Sequence, residues 1–393
     1  MTQHIASRAQ RLQPSPTLAV SSQAKAMRAQ GHPVISLAAG EPDLATPEVV
    51  IKAAQRALEA GATRYTPVKG IPKLCAAIAD DSKRARQVAC DPEREVIVTV
   101  GAKQALYNAF QVLLEPGDEV LLPLPSWVSY APQVELAGGV AVPVAGRAEL
   151  GFYPSIEALE QAVSDRSRLL VLTSPSNPTG LVAQPSQVEA VCHWAVSRGL
   201  TIISDEIYRR ICFRDAPALL SPQTVVGTEH VVVVDGVSKS HCMTGWRIGW
   251  AVAPSSVIGA MAKLQSHQTS NAAAVAQHAA FTALLEADDH VRQLVQSLEA
   301  RRDVFVPRLR SIEGLEALWP QGAFYVFADV RQALAEGEDD LAFCQGLLRE
   351  QAVAAVPGSA FGAPGWLRLS LAAPQADLDA AADRIEAYLN DRG

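Results

Sequence analysis

Basic residues are in deficit: Lys plus Arg number 34 against 41 Asp plus Glu, a formal net charge of −7. A nucleic-acid partner selects for a basic stripe and an anionic membrane for a polybasic segment, and this balance carries neither footprint. Charged residues make up only 19% of the 393, whereas 49% are hydrophobic. That ratio excludes extended disorder and leaves apolar material for a large core. Apolar runs of about 18 residues, the length that spans a bilayer, are missing. The opening MTQHIASRAQRLQPSP lacks the apolar stretch of a secretory leader, so the expected location is the cytoplasm, away from membranes. Cysteine is sparse, and Cys75, Cys90, Cys192, Cys212, Cys242 and Cys344 stand far apart, with no CxxC pair and no histidine at zinc-ligand spacing. They read as buried free thiols, and no metal site is expected. Repeats, low-complexity tracts and Gly/Ser linkers are also absent, which predicts two rigidly packed domains with a cleft between them.

What the chain does have is alternation. Short β-branched runs, EVIVTV (95–100), DEVLLP (118–123), RLLVLT (168–173), LTIISD (200–205) and EHVVVVDG (229–236), are separated by Ala- and Leu-rich stretches. This predicts an α/β fold with a mostly parallel sheet between helices, 101–115 and 185–198 among them. Residues 255–311, rich in Ala, Gln, Leu and Arg, predict one or two long helices. A second sheet region follows, with GAFYVFADV (322–330), a helix, VAAVPG (353–358), WLRLSLA (366–372) and a final helix to Asn390.

The stretch VSKSHCMTGWRIGW (237–250) follows the apolar strand ending near Asp235. Lys239 there could hold an aldehyde as a Schiff base while Arg247 grips an anion. SPSNPTG (174–180) and SDEIY (204–208) each follow a strand too, so Asn177, Asp205, Tyr208 and Lys239 all fall on the carboxyl edge of the sheet, where open α/β folds bind ligands. Singly, each has a plainer explanation: a solvated loop Lys, a turn at Asn177-Pro178, a helix cap at Asp205. Together their types suit one ligand, a pyridine ring with a phenolic oxygen and an aldehyde.

These motifs, in this order, resemble the fold type I pyridoxal phosphate aminotransferases of class I and II, in the aspartate aminotransferase family. The resemblance runs from LAAGEPD (37–43) through TRYTPVKGIP (63–72), VGAKQAL (100–106) and PSWVSY (125–130) to GAFYV (322–326) and LRLS (367–370). It implies pyridoxal 5'-phosphate as cofactor, held by Lys239 as a Schiff base, with Asp205 at the ring nitrogen and Asn177 and Tyr208 at the ring oxygen. It further implies Trp127 stacked on the ring, and Gly101, Ala102, Lys103 and Arg247 at the phosphate, where a helix start supplies N–H groups. Tyr65 would reach the phosphate of the neighbouring subunit in a homodimer with shared active sites. The implied organisation is an N-terminal arm with part of the small domain in 1–45, a large cofactor domain over 46–290 and a small domain over 291–393. Two positions depart from the family pattern: Gly236 stands where many relatives have a phosphate-binding Ser, and Asp235 where close relatives often have Asn.

The same resemblance implies a ping-pong transfer of an amino group from an amino acid to a 2-oxo acid, with Lys239 as general base. Arg368 would bind the substrate α-carboxylate, assisted by Asn177 and backbone near Gly40, with Trp127 beside it. Lys103 matches a position that pairs with the distal carboxylate of aspartate, glutamate or prephenate, and Thr17 one associated with prephenate. HQTSN (267–271) holds no Arg, so Lys103 is the expected cation for an acidic side chain. The alternatives are an aminotransferase for neutral, aromatic or basic donors, a β-lyase on the same fold, and a cofactor-sensing regulator. The regulator is disfavoured because about 35 residues before LAAGEPD cannot hold a helix-turn-helix domain.

Overall fold

The computed structural model describes residues 5–14 and 16–392. A two-residue strand, β1 (Ile35–Ser36), comes first. Seven strands then build one sheet: β2 (Val96–Val100), β3 (Glu119–Pro123), β4 (Val140–Val144), β5 (Ser167–Thr173), β6 (Thr201–Asp205), β7 (Val231–Gly236) and β8 (Ile248–Val252). Their order is β2-β8-β7-β6-β5-β3-β4, parallel from β7 to β4, with β8 antiparallel to both of its neighbours. The apolar runs are continuous because both faces are covered. Successive side chains point to opposite faces, so Val231 and Val233 enter one core with Leu170 and Ile202, while Val232 and Val234 enter another with Phe110 and Ile203. Burying each such side chain contributes roughly 1.5–3 kcal/mol.

The remaining strands are β9 (Glu316–Ala317), β10 (Tyr325–Asp329), β11 (Val353–Ala354), β12 (Val356–Pro357) and β13 (Trp366–Ser370). Four of them form an antiparallel sheet in the order β12-β13-β10-β9, and β11 pairs in parallel with β1. VAAVPG, expected as one strand, is therefore two, serving different sheets. The N-terminal segment is stitched to the far end of the chain: Ser370 donates its N–H to Leu37 O at 2.8 Å.

The 255–311 region corrects the expectation of one or two helices. It holds three, Ser255–Gln268, Ala274–Glu286 and Asp288–Arg310. Ser270, in a left-handed conformation at φ 59°, breaks the first from the second. Ala287 (φ −111°) breaks the second from the third, whose first turn carries Asp288 and Asp289, suited to the positive end of a new helix. Among the described residues no helix is long and apolar enough to cross a membrane. All six cysteines are free, four of them buried, with Cys90 and Cys212 half-buried.

Candidate active site

The carboxyl ends of β5 and β6, at Thr173 and Asp205, and the turn after β7, at Ser238 and Lys239, border a cavity of about 740 Å3. Lys239, Asp205, Tyr208, Asn177, Trp127, Ala102, Lys103, Arg247, Arg368, Gly40 and Thr17 all line it. Gly101 acts from behind, and Tyr65 lies apart, 90% exposed on the loop between the helices Glu48–Glu59 and Pro72–Arg86.

Lys239 sits in the turn after β7 and donates from Nζ to Gly40 O at 2.7 Å. Burial pushes its amine down to about 8, against the pull of Glu41. About a tenth is then the free base at pH 7, far more than for an ordinary lysine, as a nucleophile or proton carrier requires. Asp205, 4% exposed, accepts from Tyr130 Oη at 2.7 Å and from the Ile207 N–H at 3.2 Å. Burial, with Asp235 and Glu206 adding repulsion, pushes its carboxyl up to about 6. Such a carboxylate favours a cationic N–H partner. Tyr208 Oη lies 3.0 Å from Tyr325 Oη, and both rings are buried.

Arg368 on β13 is 2% exposed and donates to Asn177 Oδ1 at 3.0 Å and to Ala38 O at 3.1 Å. Its guanidinium lies 4.4 Å over the Tyr325 ring, and its Nε is buried without a partner. Among the described residues no carboxylate lies within ion-pair distance of it. A buried guanidinium held by neutral groups has room for a two-point carboxylate contact.

The helix Ala102–Leu113 starts at Gly101 (φ 76°), whose side-chain-free cap leaves the first N–H groups uncapped. A Cβ on Gly101 would fall 2.5 Å from Arg247 Nη2, and one on Gly249 would fall 2.2 Å from the Ala102 nitrogen. The two glycines thus let a helix start and a guanidinium close together into an anion cradle. The fit to pyridoxal phosphate is complete along the cavity: cradle, buried acid, phenol and amide, amine. Gly236 has a packing reason of its own, since a Cβ there would lie 3.0 Å from Gly249 Cα and Ile248 O. Lys103 Nζ lies 4.8 Å over the Trp127 ring, and burial, then Arg247, lower its pKa.

Several residues escaped sequence reasoning. Tyr130 lies in PSWVSY and Tyr325 in GAFYV, and the sequence alone assigns neither a role; that Tyr130 stands three residues after Trp127 is the one local signal. An ion network underneath gave no sequence signal at all. Arg86 bonds Glu206 at 2.8 Å and Asp235 at 3.2 Å, while Arg209 joins Asp235 to Asp81, and Arg210 joins Asp81 to Asp288. Glu206 follows Asp205, Arg209 follows Tyr208, and Asp235 lies just ahead of the Lys239 turn, so the network fixes two site-bearing segments, 205–209 and 235–239, from below. Asp235 is thereby engaged away from the cavity.

The sequence profile of the family described as Aminotransferase class I and II matches residues 32–385. The chain is 43% identical to the aspartate aminotransferase of Geobacillus stearothermophilus, over 99% of each protein. It is 40% identical to the probable aspartate/prephenate aminotransferase of Aquifex aeolicus (strain VF5), over 100% of each. It also superposes with a TM-score of 0.94 on the aspartate aminotransferase from Thermus thermophilus with maleate, at 41% identity, covering 98% of this chain and 100% of that one.

Proposed function

This chain belongs to the class I and II aminotransferases, a pyridoxal-phosphate-dependent family of fold type I, and from that premise we propose that it moves an amino group from an acidic L-amino acid to a 2-oxo acid. Aspartate and glutamate are the proposed donors. The observation that carries the acidic preference is Lys103: its amine shares the cavity with Lys239 and Arg368, and among the described residues no carboxylate pairs with it. Two cations, Arg368 and Lys103, then suit the two carboxylates of one substrate. The relative from Thermus thermophilus was solved with maleate, a dicarboxylate, in support of the same reading. Thr17, on the helix Pro16–Ala29, lines the same cavity and supports prephenate as a further dicarboxylate substrate.

Bound pyridoxal phosphate supplies an electron sink for the charge that develops on the substrate carbon bearing the amino group. Lys239 would hold it through its aldehyde carbon, Arg247 with the Ala102 and Lys103 N–H groups through its phosphate, and Asn177 and Tyr208 through its ring oxygen. Asp205 would hold a proton on the ring nitrogen, and Trp127 would cover the ring. Arg368 orients the substrate by its α-carboxylate. Lys239 Nζ, free once the substrate amine has taken its place, would remove the Cα proton and deliver it to the cofactor carbon that was the aldehyde, the shift by which the amino group leaves the substrate. The same residues serve the 2-oxo acid in the return half, which gives ping-pong kinetics.

Lys103→Ala is expected to lower kcat/KM for aspartate and glutamate ten- to a hundredfold, since losing one member of a desolvated charge pair costs roughly 2–5 kcal/mol and water entry moderates the loss. Alanine and phenylalanine, assayed alongside, are expected to change little. An equal loss for every donor would assign Lys103 to the cofactor phosphate instead, and a wild-type preference for neutral or basic donors would end the acidic reading.

The proposal includes a homodimer whose sites are shared, an arm with part of the small domain in 1–45, a cofactor domain over 46–290 and a small domain over 291–393. Support for the dimer is Tyr65, an aromatic 90% exposed on an ordered loop and outside its own chain's cavity. A cytoplasmic location rests on the six unpaired cysteines. Mixing inactive Tyr65→Ala and Lys239→Ala subunits is expected to restore a fraction of wild-type activity through hybrid dimers. Hybrids that form without recovery, or a wild-type enzyme active as a monomer, would exclude shared sites.

A further inference from the structure

Asp205 is crowded by negative charge. Asp235 on β7 and Glu206 both disfavour its ionised form, and the low-dielectric pocket does the same. Lys239 opposes them from the turn after β7, and Tyr208 faces the same carboxyl. Arg86 and Arg209 are committed to Glu206, Asp235 and Asp81. Among the described residues, direct hydrogen bonds to Asp205 come from two groups: the Ile207 N–H and, at the shorter 2.7 Å, the hydroxyl of Tyr130.

Tyr130 is built for one direction of donation. It is 2% exposed, and burial together with Asp205 keeps its phenol protonated far above the ordinary range. Thr173, at the end of β5, stands beside the same phenol and acts on it only weakly, so its single proton goes to Asp205. The ring is fixed as well, edge-on to Trp127 with centroids 5.4 Å apart and planes at 82°.

We propose that Tyr130 is a positioning residue for the amino-transfer reaction: its hydroxyl, 2.7 Å from Asp205, fixes that carboxylate and stabilises its charge so that Asp205 can hold a proton on the cofactor's ring nitrogen. This rests on the reading of Asp205 given above. Without the donor, the carboxylate competes for the proton it is meant to leave on the ring, and the electron sink weakens. The ring of Tyr130 acts separately, as a wall for Trp127, so Tyr130→Phe removes the hydroxyl and spares the packing.

The test has one arm without cofactor and one with it. In the cofactor-free protein labelled with 13C at the Asp carboxyl carbons, Asp205 assigned by its absence in Asp205→Asn, Tyr130→Phe is expected to raise the titration midpoint by about one pH unit or more. A hydrogen bond to a charged group has that strength. In the loaded enzyme kcat is expected to fall ten- to a hundredfold with KM for the donor within about twofold. The pH at which the bound cofactor's absorbance changes shifts with it. Thr173→Val is expected to move the Asp205 midpoint the same way by less, and it decides the matter if Tyr130→Phe melts early. An unmoved midpoint in both variants overturns the proposal. If Asp205→Ala retains near-normal activity, the reading of Asp205 fails instead, and the two failures are told apart.

Discussion

Lys239→Ala is expected to reduce transamination by at least about 10⁴-fold, the upper part of the range for losing a positioned general acid-base group, compounded by the lost covalent attachment. The reason lies in three features found together. The amine is at the carboxyl end of β7, it is anchored to Gly40 O at 2.7 Å, and burial brings its pKa to about 8. Borohydride reduction of the wild type followed by peptide mapping is expected to find the cofactor on Lys239. An adduct on Lys103 or Lys263, or turnover in Lys239→Ala within a hundredfold of wild type, would overturn the assignment. The pKa also sets a pH dependence. Below about 8 more of the amine is protonated, so the rate at which the cofactor-free protein takes up added pyridoxal phosphate on Lys239 is expected to fall as pH drops and to rise on the alkaline side.

The second large effect belongs to Asp205→Ala, for which kcat is expected to fall about 10²–10³-fold with some cofactor still bound, the usual loss when one electrostatic stabiliser is removed. Near-normal activity would end its role. The cofactor-free protein supplies an independent sign. The carboxyl titrates at about 6 when folded against an ordinary value of 3.8, so ionising it opposes folding. Its favourable contribution is complete below about pH 4 and is lost as pH rises through 6, for a total of roughly 3 kcal/mol. Asp205→Asn is therefore expected to melt higher than the cofactor-free wild type at pH 7 and alike at pH 4. The opposite order at pH 7 would contradict the burial argument.

Which parts of this molecule could be read in advance follows from where the signal is local. β5, β6 and β7 announce themselves because both faces are buried, and VVVV or LLVL has no other common use at that length. β4 was silent: Pro143 interrupts VAVPV, which is tolerable only because β4 is the edge of the sheet, a fact of topology. β8 was hidden inside the motif WRIGW, where Gly249 looks like loop chemistry and is a close approach to Ala102. At the site, Lys239, Asp205, Asn177 and Arg368 were legible because function restricts residue type and context together. Tyr130 was not, since a phenol three residues after a tryptophan acquires meaning only when β6 brings Asp205 to it. The ion pairs around Asp81 join residues as distant as Arg210 and Asp288, and no pattern along the chain encodes such a meeting.

The parallel pairing of β1 with β11 also bears on how the molecule is made. A ribosome delivers residues 35–38 before the large sheet, yet their partners, Ala354 and Ser370, arrive only after it. The seven-stranded sheet can assemble once Val252 has emerged, placing Asp205 and Lys239 at its rim. The grip on the α-carboxylate cannot, because Arg368 comes late and is anchored to Ala38, whose segment has waited throughout. Long-range closure of this kind is slow and is completed last. A nascent chain therefore exposes its reactive amine well before it can hold an amino acid against it, and substrate capture waits until β13 has emerged and docked on the Ala38 segment.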